Sequence, residues 1–333
     1  MEVYGNMMRK TVLLLLVISL LVLISGCGSS DKEKNATIIL KANDVHTDDY
    51  PTTQSTKYMG KLLEERSNGR IKLQIYSDGQ LGDGKVIEDA MADGVIDIDR
   101  EGIDRYASQI PTLQAFIMPY VFRDSAHVWK VLEGAIGERV KSELKDKDKV
   151  VLAFYDSGMR SFYGMKPIMK PEDLTGMQLR VLSGDVFENM LGILQAQSVP
   201  LGYNDIYPAL QVGKITGAEN NIPSYLSAKH FEIAKYYTLD EHMAIPEILF
   251  ISKQSWDKLS PDDQKLLAEC GAEAGQYERK LWDDFTKTGM DELQKQGVQF
   301  IKPDKAAFTN AMQPLYAKYP NLVPIIKEIQ AVQ

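Results

Sequence analysis

Between Ile38 and Ile98 the spacing of apolar side chains switches repeatedly from strand rhythm to helix rhythm and back, and few architectures accommodate that alternation. Ile38-Ile39-Leu40 reads as a strand. Tyr58, Met59, Leu62 and Leu63 then recur at helical spacing before a Ser67-Asn68-Gly69 stop. Ile71, Leu73 and Ile75 alternate as a second strand. Gly79-Gln80-Leu81-Gly82 turns into a helix bearing Val86, Ile87, Ala90 and Met91, closed by Gly94, and Val95 to Ile98 supplies a third strand. A β-α-β-α-β run of this kind predicts a largely parallel sheet covered by helices on both faces. Loops at the strand carboxyl ends are then open to a ligand.

A second cycle follows. Val128, Val131, Leu132 and Ile136 share a helix face, and Val150 to Tyr155 forms an apolar strand ending in Asp156-Ser157-Gly158, where the chain is expected to cross into a second unit. Gln178 to Val181, a helix holding Phe187, Met190 and Leu191, and segments near Ile215 and Tyr236–Leu239 build that smaller α/β unit; Ile248 to Ile251 returns the chain to the first. The chain of 333 residues is long enough for two such domains. They are expected to comprise residues 36–157 with 246–285, and residues 158–245 with 286–333. A long helix opens with Ser260 as N-cap, Pro261 as first helical residue, and Asp262 and Asp263 at its positive end. Its apolar stripe runs through Leu266, Cys270, Ala274, Tyr277, Leu281 and Phe285. At about 1.5 Å per residue it is long enough to span both units.

The first residues read as an address. Arg9 and Lys10 precede the apolar run Thr11–Ser25, which is short for a permanent membrane span, and small residues flank Cys27. Leu23-Ile24-Ser25-Gly26-Cys27 resembles a bacterial lipobox, which implies cleavage after residue 26, acylation of Cys27 and attachment to the lipid bilayer, with an uncleaved anchor helix as the alternative. Residues 27–35 are the expected tether, with polar Ser29 to Asn35 as its flexible stretch. Lipidation leaves Cys270, a small helix-core residue, as the remaining cysteine, so no internal disulfide is available. Removing residues 1–26, which hold Glu2, Arg9 and Lys10, takes the formal charge from −8 to −9. A body this acidic excludes nucleic acid as a partner and confines anion binding to a few local arginines.

Two segments carry a family resemblance: LTGMQLRV (Leu174–Val181) and YPALQVGKITGAENN (Tyr207–Asn221). Together they resemble the solute-binding subunits of tripartite ATP-independent periplasmic (TRAP) transporters, the DctP-type family, which carry an arginine at the place of Arg180. The resemblance implies a two-lobed periplasmic-binding-protein-like α/β fold with a hinge, its lobes spanned by the helix from Ser260. It also implies sodium-coupled small and large membrane permease subunits as partners. Asn43–Thr53, Ala153–Tyr163 and Ala218–Tyr237 are similar to the branch that includes binders of hexuronates and related sugar acids. Ile222 departs from the aromatic residue expected there, which alters how a sugar ring would stack.

Arg180 is the sharpest candidate, because a guanidinium presents a planar fork that fits a carboxylate with two parallel hydrogen bonds. Arg160, just past the first crossover, either reaches the same carboxylate or pairs Asp156 as a hinge brace. Asn220 and Asn221 offer donors and acceptors to ligand hydroxyls, with turn chemistry after Gly217 as the alternative. His46 follows the first strand and Arg100 the strand Val95–Asp99, places where polar residues face a cleft but also where they are simply solvated. Glu247, beside the return crossover, either accepts from a sugar hydroxyl or is structural.

No Gly-x-Ser-x-Gly elbow and no paired histidines at metal spacing occur. Gly82-Asp83-Gly84-Lys85 lacks the length of a phosphate loop. The expectation is therefore a binding protein without cofactor or metal. It would be held on the outer side of the membrane and close over an organic acid, for which a sugar acid is the expected class. A receptor-coupled sensor and a secreted sugar-acid hydrolase or lyase are the rival classes.

Overall fold

The computed structural model describes residues 37–333; the leader, Cys27 and the tether lie outside the described residues. The first lobe is built on β1 (Ile38–Asn43), β2 (Ile71–Tyr76), β3 (Ile98–Gly102), β4 (Lys149–Tyr155) and β11 (Glu247–Ser252), ordered β2-β1-β3-β11-β4. β1 pairs in parallel with β2 and β3, as the alternating rhythm predicts. β11 enters from the other lobe and slots antiparallel between β3 and β4, so the sheet is mixed rather than largely parallel.

The second lobe holds β5 (Met159–Gly164), β6 (Gln178–Val181), β7 (Gln197–Pro200), β8 (Gly217–Asn220), β9 (Tyr236–Thr238), β10 (Met243–Ala244) and β12 (Gln299–Ile301). The strand order is β12-β9-β5-β8-β6-β7, with β10 on β5. Parallel pairs β6–β8 and β6–β7 put the end of β6 and the end of β8 on one side of the sheet. β5 runs antiparallel to β8 with Ser161 opposite Asn220, so the start of β5 reaches the same side.

Two crossovers join the lobes, from β4 to β5 and from β10 to β11. They lie side by side, and the Ser157 hydroxyl in one donates to the Ile245 carbonyl in the other. The helix Pro261–Lys295 clamps both lobes along one flank. Its 35 residues reach about 52 Å. Near its start it lies so close to β4 that a Cβ on Gly271 would stand 2.9 Å from Leu152. Near its end Gly289 rests against Leu226 of the second lobe. Cys270 is buried in the first lobe's core with Leu152, Leu249 and Leu267. The C-terminal helix Val323–Ala331 packs on the helix Pro111–Phe116 of the first lobe, and Arg123 donates to the carbonyls of Gln330 and Val332.

Ser260 caps the long helix by accepting from the Asp263 backbone N–H, while Asp263 also holds Arg70. Ser260→Ala is expected to destabilise the protein by about 1 kcal/mol in a urea melt, with no change in ligand affinity.

Candidate functional site

The carboxyl ends of β1 and β3 and the start of β11 form one wall of a cleft, and the ends of β6 and β8 with the start of β5 form the other. Three buried arginines stand on these walls: Arg100 on the first lobe, Arg160 and Arg180 on the second. A buried cation is tolerated when a carboxylate neutralises it, so the partners of each decide what the site lacks.

Arg160 is satisfied. Its Nε donates to Glu219 Oε2 at 2.5 Å, one terminal nitrogen to Glu219 Oε1 at 2.9 Å, and the other to Asn220 Oδ1 at 2.9 Å. The Asp156 pairing considered from the sequence does not form: Asp156 accepts instead from Trp129 Nε1 on the helix Ser125–Leu132 and from the Gly158 N–H two residues on, while Arg160 is held by Glu219. Behind Glu219 stands His242, stacked on Phe162 at 4.3 Å and bonded through Nδ1 to Asp240 at 2.7 Å. Its Nε2 is 3.6 Å from Glu219 Oε2, an ionic approach rather than a hydrogen bond. Burial alone would raise the Glu219 carboxyl, but Arg160 and His242 outweigh it and hold it at about 2. Burial would likewise lower His242, and Asp240 and Glu219 raise it to about 9.

Arg100 is neutralised as well, from within the first lobe. It lies inside β3, not after it, because the strand runs through the charged stretch Asp99-Arg100-Glu101. One terminal nitrogen meets Asp44 Oδ1 at 2.5 Å and the other Glu247 Oε2 at 3.0 Å, although the second contact lacks hydrogen-bond geometry. Leu249 is the register partner of Arg100, so Glu247 is its diagonal neighbour on the same face of the sheet.

Arg180 differs from both. Its side chain is 4% exposed, and its Nε donates to the Leu201 carbonyl at 2.9 Å, which fixes the plane of the fork. Among the described residues no carboxylate lies within 4.0 Å of its terminal nitrogens, and they make no hydrogen bond. Burial and neighbouring Arg160 both lower its proton affinity, against the pull of Glu219.

The remaining candidates frame this cation. His46 stacks on Tyr50 at 3.8 Å and meets the edge of Tyr203 at 4.7 Å. The Tyr50 hydroxyl bonds Ser224 Oγ of the opposite lobe at 2.9 Å, tying the two walls together. Asn221 Oδ1 is occupied as the N-cap of the helix Ile222–Ser227, accepting from the Ser224 N–H at 2.8 Å. Asn220 Oδ1 is taken by Arg160 and the Asn221 N–H, which leaves its amide nitrogen as the group for a hydroxyl. Ile222 does not face this space; it packs in the second lobe's core near Leu226 and Gly289. Aromatic surface beside the arginines comes instead from Tyr50 and Tyr203, which the sequence reading did not single out.

Residues 42–321 match the profile of DctP, the bacterial extracellular solute-binding protein, family 7. Among solved structures, a TRAP periplasmic solute-binding protein from Pseudomonas putida F1 with bound D-glucuronate is 36% identical, with a TM-score of 0.86 over 89% of this chain and 98% of that one. One from Xanthobacter autotrophicus Py2 with bound β-D-galacturonate is also 36% identical, with a TM-score of 0.85 over 88% of this chain and 100% of that one. Among curated proteins, the 2,3-diketo-L-gulonate-binding periplasmic protein YiaO of Escherichia coli K12 is 30% identical over 85% of this chain and 90% of its own length.

Proposed function

We propose, on the premise that this chain belongs to the bacterial extracellular solute-binding protein family 7, that it captures a hexuronate-type sugar acid between its two lobes and delivers it to a membrane permease. The observation that carries this reading is the unpartnered Arg180. Two of the three cleft arginines are neutralised by the protein's own carboxylates, and the third is left for a carboxylate brought from outside. A planar anion seated on its two terminal nitrogens would complete the charge balance.

The rest of the site suits a hydroxylated ring. The Asn220 amide nitrogen, His46 and Glu247 supply polar groups, while Tyr50 and Tyr203 supply flat apolar surface. Contacts from both walls are complete when the lobes are together, so ligand shifts the hinge population toward the closed form. A permease that reads the closed surface, and an acylated Cys27 that holds the protein at the membrane, belong to the same reading.

Melting curves with D-glucuronate and D-galacturonate test it. Ligand at about a hundred times its dissociation constant is expected to stabilise the fold by roughly 2.7 kcal/mol. The sugar acid should also be recovered unchanged in stoichiometric amount. Absence of any stabilisation by either uronate, or turnover of the sugar acid, would remove the proposal.

A further inference from the structure

The two walls of the cleft carry opposite charge. On the second lobe Glu219 faces Arg160 and Asp240 faces His242, and Arg180 remains as one uncompensated cation. On the first lobe Asp44 and Glu247 share a single arginine, Arg100. That wall is acidic when both carboxyls are ionised.

From this asymmetry we infer that the Asp44–Arg100–Glu247 cluster is a selectivity device: it admits a hydroxylated end of the ligand opposite Arg180 and rejects a second carboxylate there. The inference rests on the sugar-acid reading and adds to it which acids are excluded.

Several observations support the device. Asp44 is fully engaged, accepting from Arg100 and the His46 N–H through Oδ1 and from Thr52 Oγ1 through Oδ2. It therefore holds Arg100 in place and has little left to give a ligand. Glu247 is bound less tightly. Its Oε2 lies 3.0 Å from Arg100 without a hydrogen bond, and Arg100 Nε and His46 Nδ1 are buried and unpartnered as well. One acceptor, one donor and one ring nitrogen without partners are what a pair of ligand hydroxyls can satisfy. A third carboxylate around Arg100 would leave two uncompensated negative charges among largely buried groups, and like charges so placed oppose binding. Tyr203 joins the two ends of the site: its ring touches His46, and it follows Leu201, whose carbonyl orients Arg180. Burial first, then Asp44 and Asp104, the latter in the 3-10 turn Ile103–Tyr106 directly after β3, push the Glu247 carboxyl up to about 7 against the pull of Arg100 and Arg160. A test at pH 8 therefore lies on the ionised side of that value.

Calorimetry at pH 8 with D-glucuronate, which has one carboxylate, and D-glucarate, which has two, tests the device in the full-length protein, in Glu247→Gln and in Asp44→Asn. The expected result is a preference of the native protein for glucuronate on the order of a hundredfold. Glu247→Gln, which keeps shape and removes charge, should narrow that ratio by about tenfold or more. Equal affinity of the native protein for both acids overturns the inference and leaves the sugar-acid reading standing. A glucuronate preference that persists unchanged in both variants overturns it too, because the discrimination then lies elsewhere. Binding of neither acid removes the parent reading and the inference with it.

Discussion

Arg180→Ala protein is expected to fold normally and to lose measurable binding of the sugar acid. Two charge-assisted hydrogen bonds from the guanidinium to a carboxylate contribute roughly 1.5–3 kcal/mol each, so their removal lowers affinity by a factor between about a hundred and ten thousand. The cost to folding is small, because among the described residues Arg180 is in no ion pair and the substitution removes a single hydrogen bond, to the Leu201 carbonyl. A change in unfolding free energy of no more than about 1 kcal/mol is expected. Arg180→Lys separates charge from shape. Lysine restores the cation but loses both the fork and the Nε contact that orients it, so its affinity should fall between those of the native and alanine proteins. Calorimetry with D-glucuronate decides the matter, and native affinity in Arg180→Ala would place the carboxylate elsewhere.

How much of this site the sequence disclosed depends on the distance between partners. Arg180 was legible because it ends an apolar strand, in a segment with a family resemblance. The long helix was legible because Ser260, Pro261 and the two aspartates mark its start, although it continues ten residues past Phe285 to Lys295. Strand β3 was misplaced toward its apolar half. Asp99, Arg100 and Glu101 look like a solvated turn, but Arg100 is neutralised by Asp44, 56 positions away, and Asp99 accepts from Asn43. Strand β8 was missed for the same reason: Gly217-Ala218-Glu219-Asn220 has no apolar alternation, and its polar groups are paid for by Arg160, 59 positions upstream of Glu219. Charges that cancel across the fold leave no periodic trace in the chain. The Tyr50–Ser224 contact, 174 positions apart, is equally silent.

The second large effect is expected at Glu219, the group that makes a second buried arginine tolerable. Glu219 is 0% exposed and binds Arg160 through both carboxylate oxygens. Glu219→Gln keeps the volume and part of the hydrogen bonding but strips the charge. Arg160, Arg180 and protonated His242 are then left around one neutral amide. Breaking a buried pair in this way destabilises by about 3–5 kcal/mol, several times the effect of removing Arg180 itself. The sign of the pH dependence follows from the two titrating groups. Glu219 sits below its ordinary range, so its contribution is full above about 4.5 and is lost as pH falls toward about 2. His242 sits above its ordinary range, so its contribution is full below about 6.5 and is lost as pH rises through about 9. The network therefore stabilises the native protein most between those limits and weakens on the alkaline side. In Glu219→Gln the alkaline loss should shrink, since His242 retains Asp240 alone, and the acid loss assigned to Glu219 should vanish. Chemical denaturation of native and variant proteins from pH 2 to pH 10 measures both slopes. A variant as stable as the native protein at pH 6 would show that Arg160 finds its counter-charge elsewhere.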